Sequence, residues 1–165
     1  MDRLQEFFDY KEIIEKLGLW CRIVDQRTLD RMGEVFAQDL VWDFGGGTVD
    51  NGLAAIVARI QAHLVEATLC RATHHHIANP WVEINGDTAE SEANFLSVAV
   101  GHPGAAERAL IEMGNYHDFW QRTEQGWRIV KRLYRMDIQD GPMEIMYGSA
   151  PAEMWEEGDA RRLNR

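Results

Sequence analysis

The sequence predicts an α+β domain, with helices first and an antiparallel meander after them. Three observations predict it. An amphipathic stripe runs through the first residues, strand formers dominate four stretches from residue 73 onward, and "NGD", "GHPG" and "TEQG" separate those stretches as turns. Ile13, Ile14, Leu17, Trp20, Cys21 and Val24 fall at steps of one, three and four, one face of a helix that ends around Asp25 and Gln26. Thr28 reads as the N-cap of a short second helix carrying Leu29, Met32 and Phe36 inward. "LVWDF" at 40–44 is a short strand, "GGG" at 45–47 a flexible turn, and residues 53–66 a third helix. The four strands are expected at 73–84, 88–100, 106–122 and 127–138. One domain then covers residues 1–140, its helices packed on one face of a curved sheet. A tail at 141–165 is expected to cover an opening or a subunit interface.

A chain of 165 residues with 45% apolar residues is long enough for one real core. Its net charge of −10 argues against a nucleic-acid partner, which needs a basic stripe, and disfavours docking on an anionic membrane. The two cysteines, Cys21 and Cys70, offer no disulfide framework, so a reducing cytoplasm is expected. "MDRLQEFFDYKEI" lacks the basic-then-apolar design of a signal peptide, and no apolar run approaches the ~20 residues of a membrane span.

"RATHHHIANPWVEI", residues 71–84, places three histidines in a row on an expected strand. Side chains alternate along a strand, so His75 faces one way while His74 and His76 face the other. His74 and His76 could share a metal only with a third ligand from elsewhere, His102 or His117, and nothing in the spacing selects one. No metal and no cofactor are expected. His75 alone reads as a structural histidine unless a carboxylate reaches it. Asp25, on from Trp20 and Cys21 along the inward stripe, is such a carboxylate. At a helix C-terminus it opposes the macrodipole and calls for a partner. A solvated helix end and an Asp–His dyad are both open on periodicity alone.

"EIIEKLGLWCRIVDQRTLDRMGEVFAQDLVWDF", "THHHIANPWVEINGDTA" and "GNYHDFWQRTEQGWRIVKR" together resemble the SnoaL-like branch of the nuclear transport factor 2-like superfamily, from about Ile13 to Asp137. The resemblance implies a cone, a strongly bent antiparallel sheet wrapped around the N-terminal helices and enclosing one deep apolar cavity. It also implies the cofactor-free lyases of that shape, among them scytalone dehydratase, hexachlorocyclohexane dehydrochlorinase and bile-acid 7α-dehydratase. Their shared dyad falls on Asp25 and His75, and the dehydrochlorinase's arginine falls on Arg132.

This chain departs from those enzymes where it carries Trp20 in place of a tyrosine or lysine five residues before the aspartate, and Phe44 near a second tyrosine. The general acid is therefore open among His75, Arg132, Tyr116 and Tyr134. Trp20, Trp42 and Phe44, with Tyr116 and Tyr134, are the expected substrate-binding residues, and Phe95 and Trp120 are further candidates for the lining; core packing is the alternative for each. For Arg132 the alternative is a surface ion pair.

The function expected is a cofactor-independent lyase acting on a small apolar aromatic or alicyclic substrate, with His75 as base oriented by Asp25 and a quinone-methide-like intermediate for a phenolic substrate. Isomerisation or cyclisation by the same dyad is the close alternative. A non-catalytic binding protein, or the β-type subunit of a ring-hydroxylating oxygenase, is the alternative from another class. Strand residues such as Ile129, Val130 and Leu133 predict burial of the outer sheet face in a homodimer or homotrimer.

Overall fold

The structure, a computed structural model, describes residues 3–66, 69–102, 108–147 and 161–162. It opens on one long helix, α1 (Arg3–Gln26). The helix begins well before Ile13 because Asp9 continues the buried face, in steps of four to Ile13 and Leu17. That carboxylate accepts from Arg122 Nη1 and Nη2 at 2.6 Å each and from Trp127 Nε1 at 3.1 Å, which is how a charge is tolerated there. The helix ends in a Schellman arrangement. Arg27 takes φ 60°, its N–H reaches Val24 O at 3.2 Å, and the Thr28 N–H reaches Ile23 O at 3.0 Å.

The segment after α1 differs from expectation. Leu29–Glu34 is a 3-10 turn rather than an α-helix, and the Thr28 side chain caps nothing. Phe36 is buried as expected, but as the first residue of a strand, β1 (Phe36–Gly45), which is longer than "LVWDF". The three glycines turn at positive φ into an unexpected partner, β2 (Thr48–Asn51). Helix α2 (Leu53–Gln61) follows, and a π turn over Ala62–Glu66 completes the expected third helix.

Four long strands follow: β3 (Cys70–Asn85), β4 (Thr88–Gly101), β5 (Leu110–Thr123) and β6 (Gly126–Asp140). Positions 106 and 107, expected to begin the third of them, lie outside the described residues. The sheet order is β2-β1-β6-β5-β4-β3. The last four strands form the expected antiparallel meander, but β1 joins β6 in parallel, with Trp42 beside Arg132. The result is an α+β cone, its curled sheet wrapped around the N-terminal helices, with Ile13, Leu17, Trp120 and Trp127 among the fully buried side chains.

Bulges bend the sheet and reset which residues face in. Asn79, at φ 52°, marks the register shift between Ala78 and Trp81 on β3. On β6 the shift opposite Met113 and Gly114 skips Asp137, so Gln139 and Tyr134 both point inward despite their opposite parity. Of the expected tail, helix α3 (Glu144–Tyr147) packs Ile145 and Met146 inward, and β7 (Arg161–Arg162) runs parallel beside β6 at Ile138 and Gln139. Residues 148–160 and 163–165, where the remaining tail was expected to cover the cavity or an interface, lie outside the described residues.

Candidate active site

Alternation along β3 turns His75 into the cone while His74 and His76 are exposed on the outer face, their rings stacked 6.1 Å apart. The helix end brings Asp25 to meet it. Asp25 Oδ1 lies 2.7 Å from His75 Nδ1, and Asp25 Oδ2 accepts the His75 backbone N–H at 2.9 Å. The Thr73 hydroxyl, one inward position earlier on β3, donates to Asp25 Oδ1 at 2.9 Å. Three donors thus offset the adverse helix dipole. Burial works to raise the Asp25 pKa, but the His75 ring, the His75 N–H and Thr73 hold it below the ordinary carboxylate value. An ionised Asp25 accepts from Nδ1–H and so leaves Nε2 as the basic nitrogen of His75.

Arg27 braces this corner. Its guanidinium donates to Thr73 Oγ1 at 2.8 Å, to Val24 O at 2.7 Å and to Asp25 O at 3.2 Å, and its Nε reaches Leu64 O on the π turn at 3.3 Å. The helix end, the start of β3 and the segment after α2 are pinned together by one side chain.

His75 opens on a cavity of about 100 Å³, room for several water molecules and so for a compact ligand. Trp20, Trp42, Phe44, Tyr116 and Tyr134, the expected substrate-binding residues, all line it, and so does Phe95. Phe95 stacks on Tyr116 and Tyr134 with ring centroids 4.7 and 5.1 Å apart. Gly114 makes that stack possible, since a Cβ there would sit 2.7 Å from the Phe95 ring. Trp120, the other candidate for the lining, is not there; it is core, with its indole N–H donating to Ser91 Oγ at 2.9 Å.

Arg132 lies one layer behind the cavity wall. It is 0% exposed, gives Nε and Nη2 to the Asp118 carboxylate at 2.6 and 2.7 Å, and rests 4.0 Å from the Tyr116 ring centroid. Trp20, Phe36 and Trp42 ring it at 5.0–5.3 Å. Burial and Asp118 make it a core ion pair rather than a surface one.

The residue that the sequence reading missed is Glu112. It is 2% exposed and faces the cavity from β5. Gln139 Nε2 donates to its Oε1 at 2.9 Å, Tyr147 Oη lies 3.0 and 3.1 Å from its two oxygens, and Ser97 Oγ lies 3.4 Å from Oε2. Burial pushes its pKa up despite those partners. Period two carries the signal, because Tyr116 is an expected substrate-binding residue on the same strand, and Glu112 and Asp118 share its parity.

At the cavity mouth Arg59 pairs with Asp50 and lies 5.0 Å over Phe44, while burial and then Arg59 lower the pKa of His63. Among the described residues no three His, Cys, Asp or Glu side chains converge as a metal site. His117, which a metal shared by His74 and His76 could have called on, is half-buried on the outer face, held by Glu90 at 3.1 Å.

Residues 5–133 match the SnoaL-like domain family. An uncharacterized protein of Mycobacterium tuberculosis (strain H37Rv) is 29% identical over 129 residues, 78% of this chain and 85% of its own. Among solved structures, a protein from Kribbella flavida superposes with a TM-score of 0.76 at 25% identity, covering 82% of this chain and 95% of its own. A candidate scytalone dehydratase from Novosphingobium aromaticivorans gives 0.73 at 15% identity over 82% and 88%, and a hexachlorocyclohexane dehydrochlorinase gives 0.65 at 18% over 84% and 90%. At those identities the last two show likeness of fold.

Proposed function

The chain belongs to the SnoaL-like domain family, and on that premise we propose that it is a cofactor-independent lyase whose base is His75, held and oriented by Asp25. The observation that carries the reading is the two-point grip of Asp25 on His75, ring and backbone, at the wall of an aromatic cavity. A carboxylate that fixes Nδ1–H stabilises the imidazolium formed when Nε2 takes a proton. The largely aromatic and apolar lining, most of it buried, suits a small, flat, apolar molecule, aromatic or alicyclic.

In the step proposed, Nε2 removes a proton from a carbon or hydroxyl activated by the ring or an adjacent carbonyl. The electron pair left behind forms a double bond as a group on the β-carbon departs. With a phenolic substrate the same flow gives a quinone methide. Arg132, behind Tyr116 and Trp20, acts as a positioning residue that sets the tilt of those rings and contributes a fixed positive charge beneath them. The isomerase reading differs only in returning the proton to another carbon. Solvent-deuterium exchange separates catalysis from mere binding. Wild-type protein should wash deuterium into the acidic C–H position of aromatic ketones that it binds, and His75→Ala should not. A ligand that binds to wild type without any exchange would favour a binding protein.

A further inference from the structure

We propose that Glu112 is the general acid of this site, held as a neutral carboxylic acid and donating its proton to a hydroxyl leaving group. The inference rests on the His75 reading above and fills the role of general acid, which Trp20 and Phe44 cannot supply and which the sequence leaves open among His75, Arg132, Tyr116 and Tyr134.

The placement follows from the strand ladder. His75 pairs with Ser97, Ser97 with Glu112, and Glu112 with Gln139, so the four form one inward row across β3, β4, β5 and β6. Two strand spacings separate the base from Glu112, about 10 Å between Cα atoms, with their side chains converging on the cavity. A substrate lying across Ser97 presents its acidic C–H to one and its β-substituent to the other.

The surroundings of Glu112 suit a donor. Among the described residues, its hydrogen bonds come from an amide and two hydroxyls. Oε1 accepts from Gln139, which directs the carboxyl proton to Oε2. At Oε2 the contacts are the Ser97 hydroxyl at 3.4 Å, a weak one, and Tyr147 at 3.1 Å, and both hydroxyls can accept as well as donate. A ligand hydroxyl can therefore compete for the Oε2 proton. Burial that favours the neutral acid at Glu112, set against hydrogen bonds that keep Asp25 ionised, separates two carboxyl groups of one site into opposite roles.

The step balances. Nε2 of His75 takes the α-proton, the C–H pair becomes the new C=C bond, and the β C–O bond breaks. The departing oxygen takes the Glu112 proton and leaves as water, and the site resets when the imidazolium proton returns to the Glu112 carboxylate through that water. The leaving group that needs this device is hydroxyl, because halide departs as an anion unaided. The substrate class is therefore a β-hydroxy carbonyl compound or its phenolic vinylogue.

The test uses the full chain labelled with carbon-13 at the glutamate carboxyls, and two probes. Benzylacetone has an acidic C–H and nothing to lose; its β-hydroxy derivative dehydrates to benzalacetone. The resonance absent from Glu112→Gln should stay at its protonated position at neutral pH in wild type. In that variant, deuterium exchange into benzylacetone should persist while dehydration of the hydroxy probe falls about 10²–10⁴-fold. If Glu112→Gln does not fold, Tyr147→Phe assigns the resonance by shifting it. Glu112 ionising along with surface carboxylates, or dehydration persisting beside exchange in Glu112→Gln, overturns the proposal. Wild type that binds benzylacetone and exchanges none of its protons overturns the His75 reading, and the acid with it, while leaving the Glu112 spectrum as expected, so the two failures are told apart.

Discussion

Asp118 and Arg132 form a two-pronged ion pair with 1% and 0% of their side chains exposed, directly beneath the aromatic wall of the cavity. Among the described residues Arg132 Nη1 meets no hydrogen-bond acceptor, and the guanidinium lies among rings. Removing one partner strands the other charge in the core. Asp118→Ala is expected to cost about 3–5 kcal/mol of stability, read by urea unfolding, whereas Asp118→Leu combined with Arg132→Met should restore much of the loss. Equal losses in single and double variants would show that the pair is not the source.

The three histidines should part company under substitution. His75→Ala and Asp25→Asn are expected to lower turnover about 10²–10⁴-fold with circular dichroism unchanged. His74→Ala and His76→Ala, on the exposed outer face, should stay within about twofold of wild type and change stability by less than ~0.5 kcal/mol. A dead His74 variant beside an active His75 variant would place the working histidine on the other face.

Acid stability should carry the signature of Asp9. The Arg122 hydrogen bonds, working against burial, lower its pKa from 3.8 to about 2 in the folded protein. A depressed carboxylate contributes stability above its unfolded pKa and loses it as pH falls through the folded one. The contribution of this pair should therefore be complete above about pH 4 and fade towards pH 2. Asp9→Asn should flatten that part of the stability profile, measured by thermal melts across the range; an unchanged slope would assign the acid limb to other groups.

The outer sheet face carries Leu96, Val98, Ile111 and Met113 in adjacent ladder positions, with Trp81 exposed further along β3. We expect this face to pair copies of the chain into a dimer or trimer, and Met113→Glu to dissociate them. Sedimentation that finds only monomer for wild type at micromolar concentration would sink this.

Local chemistry was legible where period and side-chain type agreed. The stripe from Ile13 to Val24, the four long strands and the split of His75 from His74 and His76 follow from spacing, the family resemblance points to His75 as the inward one, and Tyr116 on β5 carries the parity that reaches Glu112. Glu112 was passed over because a carboxylate between Ile111 and Met113 reads as solvent-facing until the strand is known to be covered. Gln139 could not be read at all, because the bulge at Asp137 breaks the period that would have linked it to Tyr134. The parallel union of β1 with β6 joins segments about ninety residues apart, and no local signal encodes it. The depth of Arg132 depends on that union, since β1 supplies Phe36 and Trp42.

The bracing by Arg27 bears on the order in which the molecule matures. Its bonds to Leu64 and Thr73 close loops of 37 and 46 residues, and the grip of Asp25 on His75 closes one of 50. Helix α1 can form from local contacts in microseconds, but these closures wait on β3 finding its place in the sheet, a slower event governed by non-local pairing. In a refolding experiment the helical signal should therefore return well ahead of proton abstraction. A chain stalled between the two would look largely folded to circular dichroism and be inert, so specific activity reports completion of the fold more faithfully than helicity does.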